Sequence, residues 1–362
     1  MTNPRPARVR RLVRRSLPVA AIAALVVGAT ACNSPRVLGE VRNPHVAIER
    51  DGAASVLLGG RVFWAFGDTI APGGWVRSSG AYADVASPTE VTDTLVADRP
   101  LPLVPLTAAE EADDRAATDG SVWVIWPSSM VSTGPDRALV FSSKFRATPN
   151  GWVDQRLVVS DIVAGETQSR RLAEPIGAPS GNYATGIYAQ GGYVYLHDCG
   201  GANLAPELVT SPLLAGLGGS VTALNPTPGL CRLARVPIGD VADGSAYRYW
   251  SGVAWSPVAA TAIGVVPGSN SGLSVAWNDD LGSYVSVSTP GLSKDVQLST
   301  APAPEGPWSS PRTIHTEVTG IYATRIHPEL GTSGANRIVV SYFRQDQPDR
   351  KGAVVLLELP VS

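Results

Sequence analysis

Short, mostly apolar strands recur in pairs along this chain, and almost no segment carries the 3.6-residue period of a helix. Val56-Leu57-Leu58, then Gly59-Gly60, then Val62-Phe63-Trp64-Ala65-Phe66 reads as a hairpin with a glycine turn between two β-rich runs. Gly186–Ala189 with Tyr193–His197, and Leu273–Trp277 with Tyr284–Val287, repeat that design. Val122–Trp126, Ala138–Phe141, Trp152–Val159, Arg337–Tyr342 and Ala353–Leu359 add further strands. Continuous apolar runs of this length predict strands covered on both faces. The 37 Gly and 30 Pro supply the turns, and the absence of charged heptads excludes a coiled coil. Only one apolar run approaches membrane-spanning length, which excludes a multi-span membrane protein.

The aromatic-rich hairpins near Trp64, Trp123, Tyr193, Trp277 and Tyr342 recur at roughly 50–70-residue intervals. Five such units predict an all-β fold, a five-bladed β-propeller over residues 45–362. A two-domain sandwich is the alternative. The last strand, 353–359, is expected to pair with a strand near Val46-Ala47-Ile48 and close the ring. One helix is expected, because Thr107-Ala108-Ala109-Glu110 is a capping box leading into an acid-rich run to Thr118. It reads as an exposed turn of helix inserted between blades.

The N-terminus reads as an address. Arg5, Arg8, Arg10, Arg11, Arg14 and Arg15 form a basic region, and Leu17–Ala31 is apolar but short for a membrane span. Residues 1–31 therefore predict a signal peptide, followed by a linker over 32–44. Ala29-x-Ala31 fits ordinary signal-peptidase cleavage, and Cys32 immediately afterwards fits lipidation, which would hold the protein on the outer face of the cell membrane. Plain secretion and an uncleaved anchor are the other readings. All 31 acidic residues lie beyond the leader, so the exported part is acidic and poorly matched to nucleic acid. Export leaves Cys199 and Cys231 as an even pair, which suggests a disulfide, with two unpaired buried thiols as the alternative. Neither sits in a C-x-x-C pair, and no metal or cofactor is expected.

Phe63-Trp64-Ala65-Phe66-Gly67-Asp68-Thr69 is the most informative segment, since an apolar strand delivers a carboxylate at its end. Asp68-Thr69 as a plain turn cap is the competing reading. No G-x-S-x-G elbow, H-E-x-x-H or P-loop is present.

The FWAFGDT segment with Arg77-Ser78-Ser79 resembles the opening of the family named domain of unknown function 4185. Pro304-Glu305-Gly306-Pro307-Trp308, Tyr322–Leu330 with its His327-Pro328, and Val339-Val340-Ser341-Tyr342 are similar to later pieces of that family, in order, over most of residues 45–360. The resemblance implies a five-bladed propeller, often exported, and for some members endo-D-arabinanase activity on arabinogalactan and lipoarabinomannan. Family members show Asn-Ser near the position of Ser78-Ser79, and this chain lacks that Asn.

Glycoside hydrolysis needs two carboxylates across the scissile bond. Asp68, which matches the family motif, is the first expected catalytic residue, and Asp84 is the second. Glu329 is a further acid to consider. Arg77, Arg325 and His327 are expected to bind substrate, with Arg325 holding Asp68 ionised. Trp64, Trp126, Tyr183 and Trp250 are expected as sugar-stacking aromatics, against the reading that they pack between blades. His197-Asp198 resembles a site pair but adjoins Cys199. The expected partner is cell-envelope polysaccharide, with the chain a monomer. The rival is a non-catalytic propeller lipoprotein that binds glycan or protein, and the third reading is a purely structural lipoprotein.

Overall fold

The computed structural model describes residues 34–177, 181, 183–199, 229–331, 336–345 and 352–361. Cys32 and the apolar leader lie outside the described residues. Val62–Phe66 are all buried, as the unbroken apolar run predicts, because both faces of their sheet are covered. Phe63 and Ala65 point one way, into a core with Ile125, Val140 and Val158. Val62, Trp64 and Phe66 point the other way, against Val339, Phe343 and Leu356. Each fully buried side chain of this size contributes about 1.5–3 kcal/mol.

Among the described residues, five antiparallel sheets of four or more strands follow one another. The first holds Ala54–Leu58, Arg61–Phe66, Ser79–Asp84 and Ser87–Thr92. The second holds Val122–Gly134, Arg137–Thr148, Gly151–Val163 and Arg170–Gly177. The third is built on Gly186–Gln190, Tyr193–Asp198 and Leu230–Pro237, with shorter strands outside them. The fourth holds Leu273–Asn278, Ser283–Ser288, Asp295–Ala301 and Arg312–Thr316. The fifth holds Ile321–Ile326, Arg337–Arg344, Ala353–Pro360 and, as its outermost strand, Arg36–Glu40. The first-named strand of each sheet contacts its counterpart in the next, so these strands line the axis of a β-propeller.

The two faces of the ring differ. The Gly59 amide donates to the Pro135 carbonyl at 2.8 Å, joining the hairpin turns of the first and second sheets. Asp280 accepts from the Asn336 amide at 3.1 Å, joining those of the fourth and fifth. These turns share one face. Gly59 and Gly60 take φ of +61° and +73°, which suits glycine. The links that enter the inner strands lie on the opposite face.

Ring closure differs from the sequence expectation. The closing partner of Ala353–Pro360 is Arg36–Glu40, in the register Arg36↔Glu358 to Glu40↔Val355, and not the segment around Val46. The Val41 amide extends the pairing to the Val354 carbonyl. Val41 is buried and Leu38 packs against the same core, so part of the expected 32–44 linker is a working strand of the fifth sheet.

The helix Ala108–Ala116 has the expected capping box: Thr107 and Glu110 bond each other's backbone amides at 3.3 and 2.8 Å. It is exposed along most of its length, as expected, with Glu110 as its one buried residue. Glu110 is buried between Lys144 and Arg171. Burial opposes its ionisation, but hydrogen bonds from Arg171 and Lys144 outweigh it and hold the carboxyl at about 2.

Cys199 and Cys231 are joined by a disulfide with a sequence separation of 32. In the chain-entropy model such a loop stabilises by about 4 kcal/mol. The Cys199→Ala/Cys231→Ala double variant is therefore expected to lose stability of that order in urea denaturation. A loss below about 1 kcal/mol would show that the crosslink constrains little.

Candidate functional site

Asp51 and Asp68 stand together on the face opposite the hairpin turns. Above the first sheet lies a small sheet of Glu49–Arg50, Thr69–Ala71 and Gly74–Val76. Asp51 sits where the chain passes from that sheet into the strand Ala54–Leu58. Asp68 sits where the strand Arg61–Phe66 passes back into it. The Asp51 amide donates to the Asp68 carbonyl at 3.1 Å, and the Gly67 amide to the Asp51 carbonyl at 2.8 Å. A Cβ on residue 67 would lie 2.5 Å from Asp51 Oδ1, so Gly67 leaves room for the Asp51 carboxyl where it stands. Arg50 anchors the small sheet from below, pairing with Asp93 at 2.9 Å and lying over the Phe66 ring.

The Asp68 carboxyl is 1% exposed. Its Oδ1 accepts from two indoles, Trp75 Nε1 at 3.2 Å and Trp126 Nε1 at 3.1 Å. Its Oδ2 is buried with no hydrogen-bond partner. Asp51 Oδ2 accepts from the Tyr322 hydroxyl at 2.7 Å. Burial, with the negative charge of Asp51 added, pushes Asp68 up to about 8 despite the two indole N–H groups. Burial likewise pushes Asp51 up to about 6 against the bond from Tyr322. Burial raises both acids, so the pair holds a proton to a higher pH than ordinary carboxyls do.

The inserted helix braces this site. Asp114 accepts from Arg77 Nη2 at 2.6 Å and from the Trp123 amide at 2.7 Å. Arg77 also donates to the Trp123 carbonyl at 2.6 Å and lies 5.2 Å from the centre of the Trp75 ring. Arg77 thus positions the indole that holds Asp68, and its charge also favours ionised Asp68.

Trp126 is half-buried, and its ring is held edge-on by Phe145 and Trp152 at 4.7 and 5.2 Å. Of the expected stacking aromatics it is the one that touches Asp68. Trp64 is fully buried with its N–H on the Pro88 carbonyl, and Tyr183 is fully buried beside Tyr249. Neither can stack on a sugar. Trp250 packs on Trp255 at the outer part of the third sheet.

Asp84 is not the second carboxylate. It ends the strand Ser79–Asp84, at the end of the sheet away from Asp68, is exposed, and lies 3.5 Å from Arg61. The carboxyl that stands beside Asp68 is that of Asp51. Arg325 does not hold Asp68 ionised. Its guanidinium donates to the carbonyls of Ser128, Leu273 and Thr324 at 2.9, 3.1 and 2.9 Å, tying inner strands of three sheets together. His327 is 1% exposed, with one ring nitrogen on Ser55 and the other on Ser341 at 2.7 Å, so it joins the fifth sheet to the first and has no nitrogen left for substrate. Glu329 accepts from the same Ser55 hydroxyl. His197 is buried with Nδ1 against the Gly186 carbonyl, and Asp198 pairs with Arg232. Asp51 and Tyr322 were missed by sequence reasoning. The available signal was Asp51-Gly52 just before an apolar strand, mirroring Gly67-Asp68 just after one.

Fold and site together define a β-propeller that brings two carboxyls together on the face opposite its hairpin turns. The sequence model of the domain of unknown function DUF4185 matches residues 225–347, so the resemblance read from the sequence stands over that stretch. Among solved structures, a candidate hydrolase from Bacteroides ovatus ATCC 8483 is 14% identical, with a TM-score of 0.54 over 89% of this chain and 87% of that one. A GH43 β-xylosidase/α-arabinofuranosidase, CoXyl43, from a compost microbial metagenome is 10% identical, with a TM-score of 0.51 over 90% and 94%. The GH43_1 enzyme from Xanthomonas citri complexed with xylose is 12% identical, with a TM-score of 0.51 over 91% of each chain. At these identities the likeness establishes the fold. No curated protein matches the chain.

Proposed function

We propose that the chain is a glycoside hydrolase of the cell envelope. It is exported, anchored through a lipid on Cys32 or released, and acts on D-arabinan of arabinogalactan or lipoarabinomannan. The observation that carries the hydrolase reading is the Asp68 carboxyl, buried beside a second acid, with one oxygen held by two indoles and the other without a partner. The GH43 neighbours share the fold on which such chemistry is built. The arabinan reading rests on the family resemblance.

Cleavage requires a proton for the leaving oxygen and a base or nucleophile at the anomeric side. Because Oδ1 of Asp68 already accepts two N–H bonds, a proton on this carboxyl resides on Oδ2. Asp68 is then the acid, and Asp51, which ionises first, is the base or nucleophile. The titrations belong to the pair as well as to each residue. The Trp126 ring supplies an apolar face beside the reacting bond.

A bell-shaped pH dependence follows. Below about 6 Asp51 takes up a proton and the base is lost, and above about 8 Asp68 loses its proton and the acid is lost. The measurement is release of arabino-oligosaccharides from purified arabinogalactan between pH 4 and 10. A rate that climbs steadily past pH 9 would remove Asp68 as the acid.

One observation favours the rival binding reading. Asp51 and Asp68 are joined through backbone hydrogen bonds and so approach a ligand from one side. Retention of the chain on arabinogalactan without any product release would establish that reading instead.

A further inference from the structure

We propose a second saccharide-binding site, for a neutral polysaccharide, on the face of the ring opposite Asp68 and built around Trp308. A cavity of about 510 Å³ opens there on the fourth sheet, lined by Gly282, Ser283, Thr300, Pro302, Pro307 and Trp308 among others. That volume lies within the range of small-ligand sites. Gly282 and Ser283 belong to the hairpin turn that shares its face with Gly59 and Pro135. Asp68 lies beyond the other end of its strand, so the two sites are separated by the length of a blade, roughly 20 Å for six residues.

The chemistry of the lining selects the ligand. One indole and two prolines offer apolar surface, Ser283, Thr300 and Ser309 offer hydroxyls, and among the described residues no charged side chain lines the cavity. A neutral sugar has this combination, with a C–H face that stacks on indole and hydroxyls that bond at its edge. An anionic glycan or nucleic acid would meet no countercharge here.

The site is preformed. Trp308 Nε1 donates to the Pro304 carbonyl at 3.2 Å, which fixes the plane of the ring. The Ser309 amide donates to the Thr300 carbonyl at 2.8 Å, and the Thr300 amide to Ser309 Oγ at 3.0 Å, which clamps the loop to its strand. A Cβ on residue 306 would lie 2.9 Å from the Trp308 amide nitrogen, and Gly306 takes φ of +98°. The Gly306-Pro307-Trp308 motif thus presents the indole, a role the Asp68 pocket does not use. A ligand docking here orders little of the protein, so contact energy is retained as affinity.

The test is native electrophoresis of the full chain through gels cast with arabinogalactan or, separately, xylan. The choice of arabinogalactan rests on the proposed reaction. Trp308→Ala and the cavity-filling Ser283→Tyr are each expected to weaken retardation by about tenfold, while hydrolysis of a short arabino-oligosaccharide is unchanged. Thermal melts establish folding, and Ser283→Tyr decides if Trp308→Ala fails to fold. Folded variants that migrate with the wild type would overturn the inference, as would a wild type retarded by neither polysaccharide. Trp308-dependent retardation without hydrolysis would support this site and sink the hydrolase reading instead.

Discussion

Asp68→Asn is expected to stop product release from arabinogalactan, with a rate loss of about 10³-fold or more, while leaving the chain folded. The amide keeps an oxygen to accept from Trp75 and Trp126, but it replaces the transferable proton on Oδ2 with an N–H that cannot be given up. Stability separates this from simple damage. The folded Asp68 titrates near 8, far above its ordinary value of 3.8. A carboxyl raised in this way contributes most to stability below its unfolded value, and that contribution is lost as pH rises from about 4 through 8. Asparagine does not ionise. The variant should therefore exceed the wild type in stability at pH 8, and the gap should close toward pH 4. Urea denaturation at the two pH values measures this. Full activity in the variant, or a variant less stable at pH 8, would break the assignment.

Arg325→Met carries the largest expected structural cost. The guanidinium lies where inner strands converge and satisfies the carbonyls of Ser128, Leu273 and Thr324, which belong to or adjoin three different sheets. Burial lowers its titration to about 10, so it stays charged at neutral pH. Methionine fills much of the volume but leaves three acceptors without donors, each costing about 1–3 kcal/mol. A total loss of about 3–5 kcal/mol is expected in urea denaturation. Arg325→Lys should recover only part of it, because a single ammonium does not reproduce the planar fork. Activity should fall with stability, since Ser128 lies two residues from Trp126 on one strand. A loss under 1 kcal/mol for the methionine variant would mean that solvent reaches these carbonyls.

The strands were legible because burial on both faces writes itself as unbroken apolar runs, as in Val62–Phe66. Asp68 was legible because Gly67-Asp68-Thr69 ends such a run abruptly. Asp51 was hidden because Asp51-Gly52 reads as an ordinary turn, and its role depends on a sheet whose strands are two and three residues long. Strands so short carry no periodicity. Aromatic residues were ambiguous for a different reason: Trp64 and Trp126 look alike in sequence, and only tertiary contacts make one core and the other pocket. Arg325 and His327 were expected to bind substrate, but the pairing of their strand is irregular between Tyr322 and Arg325, and Ala323 takes φ of +55°. That irregularity accompanies a division of labour in which Tyr322 reaches Asp51 while Arg325 binds carbonyls of the inner strands.

The closing strand has a consequence for how the molecule matures. Arg36 bonds Glu358 across 322 positions of sequence, and the Tyr322 hydroxyl reaches Asp51 across 271. Contacts so distant form late, because the chain must first lose the entropy of a very long loop. During synthesis the first sheet emerges long before the fifth, and Asp51 waits without its hydroxyl partner. The ring latches only when the last strand arrives and pairs with Arg36–Glu40. The two acids therefore meet early, through their own backbone, and the hydroxyl that favours ionised Asp51 reaches them only when the fifth sheet docks.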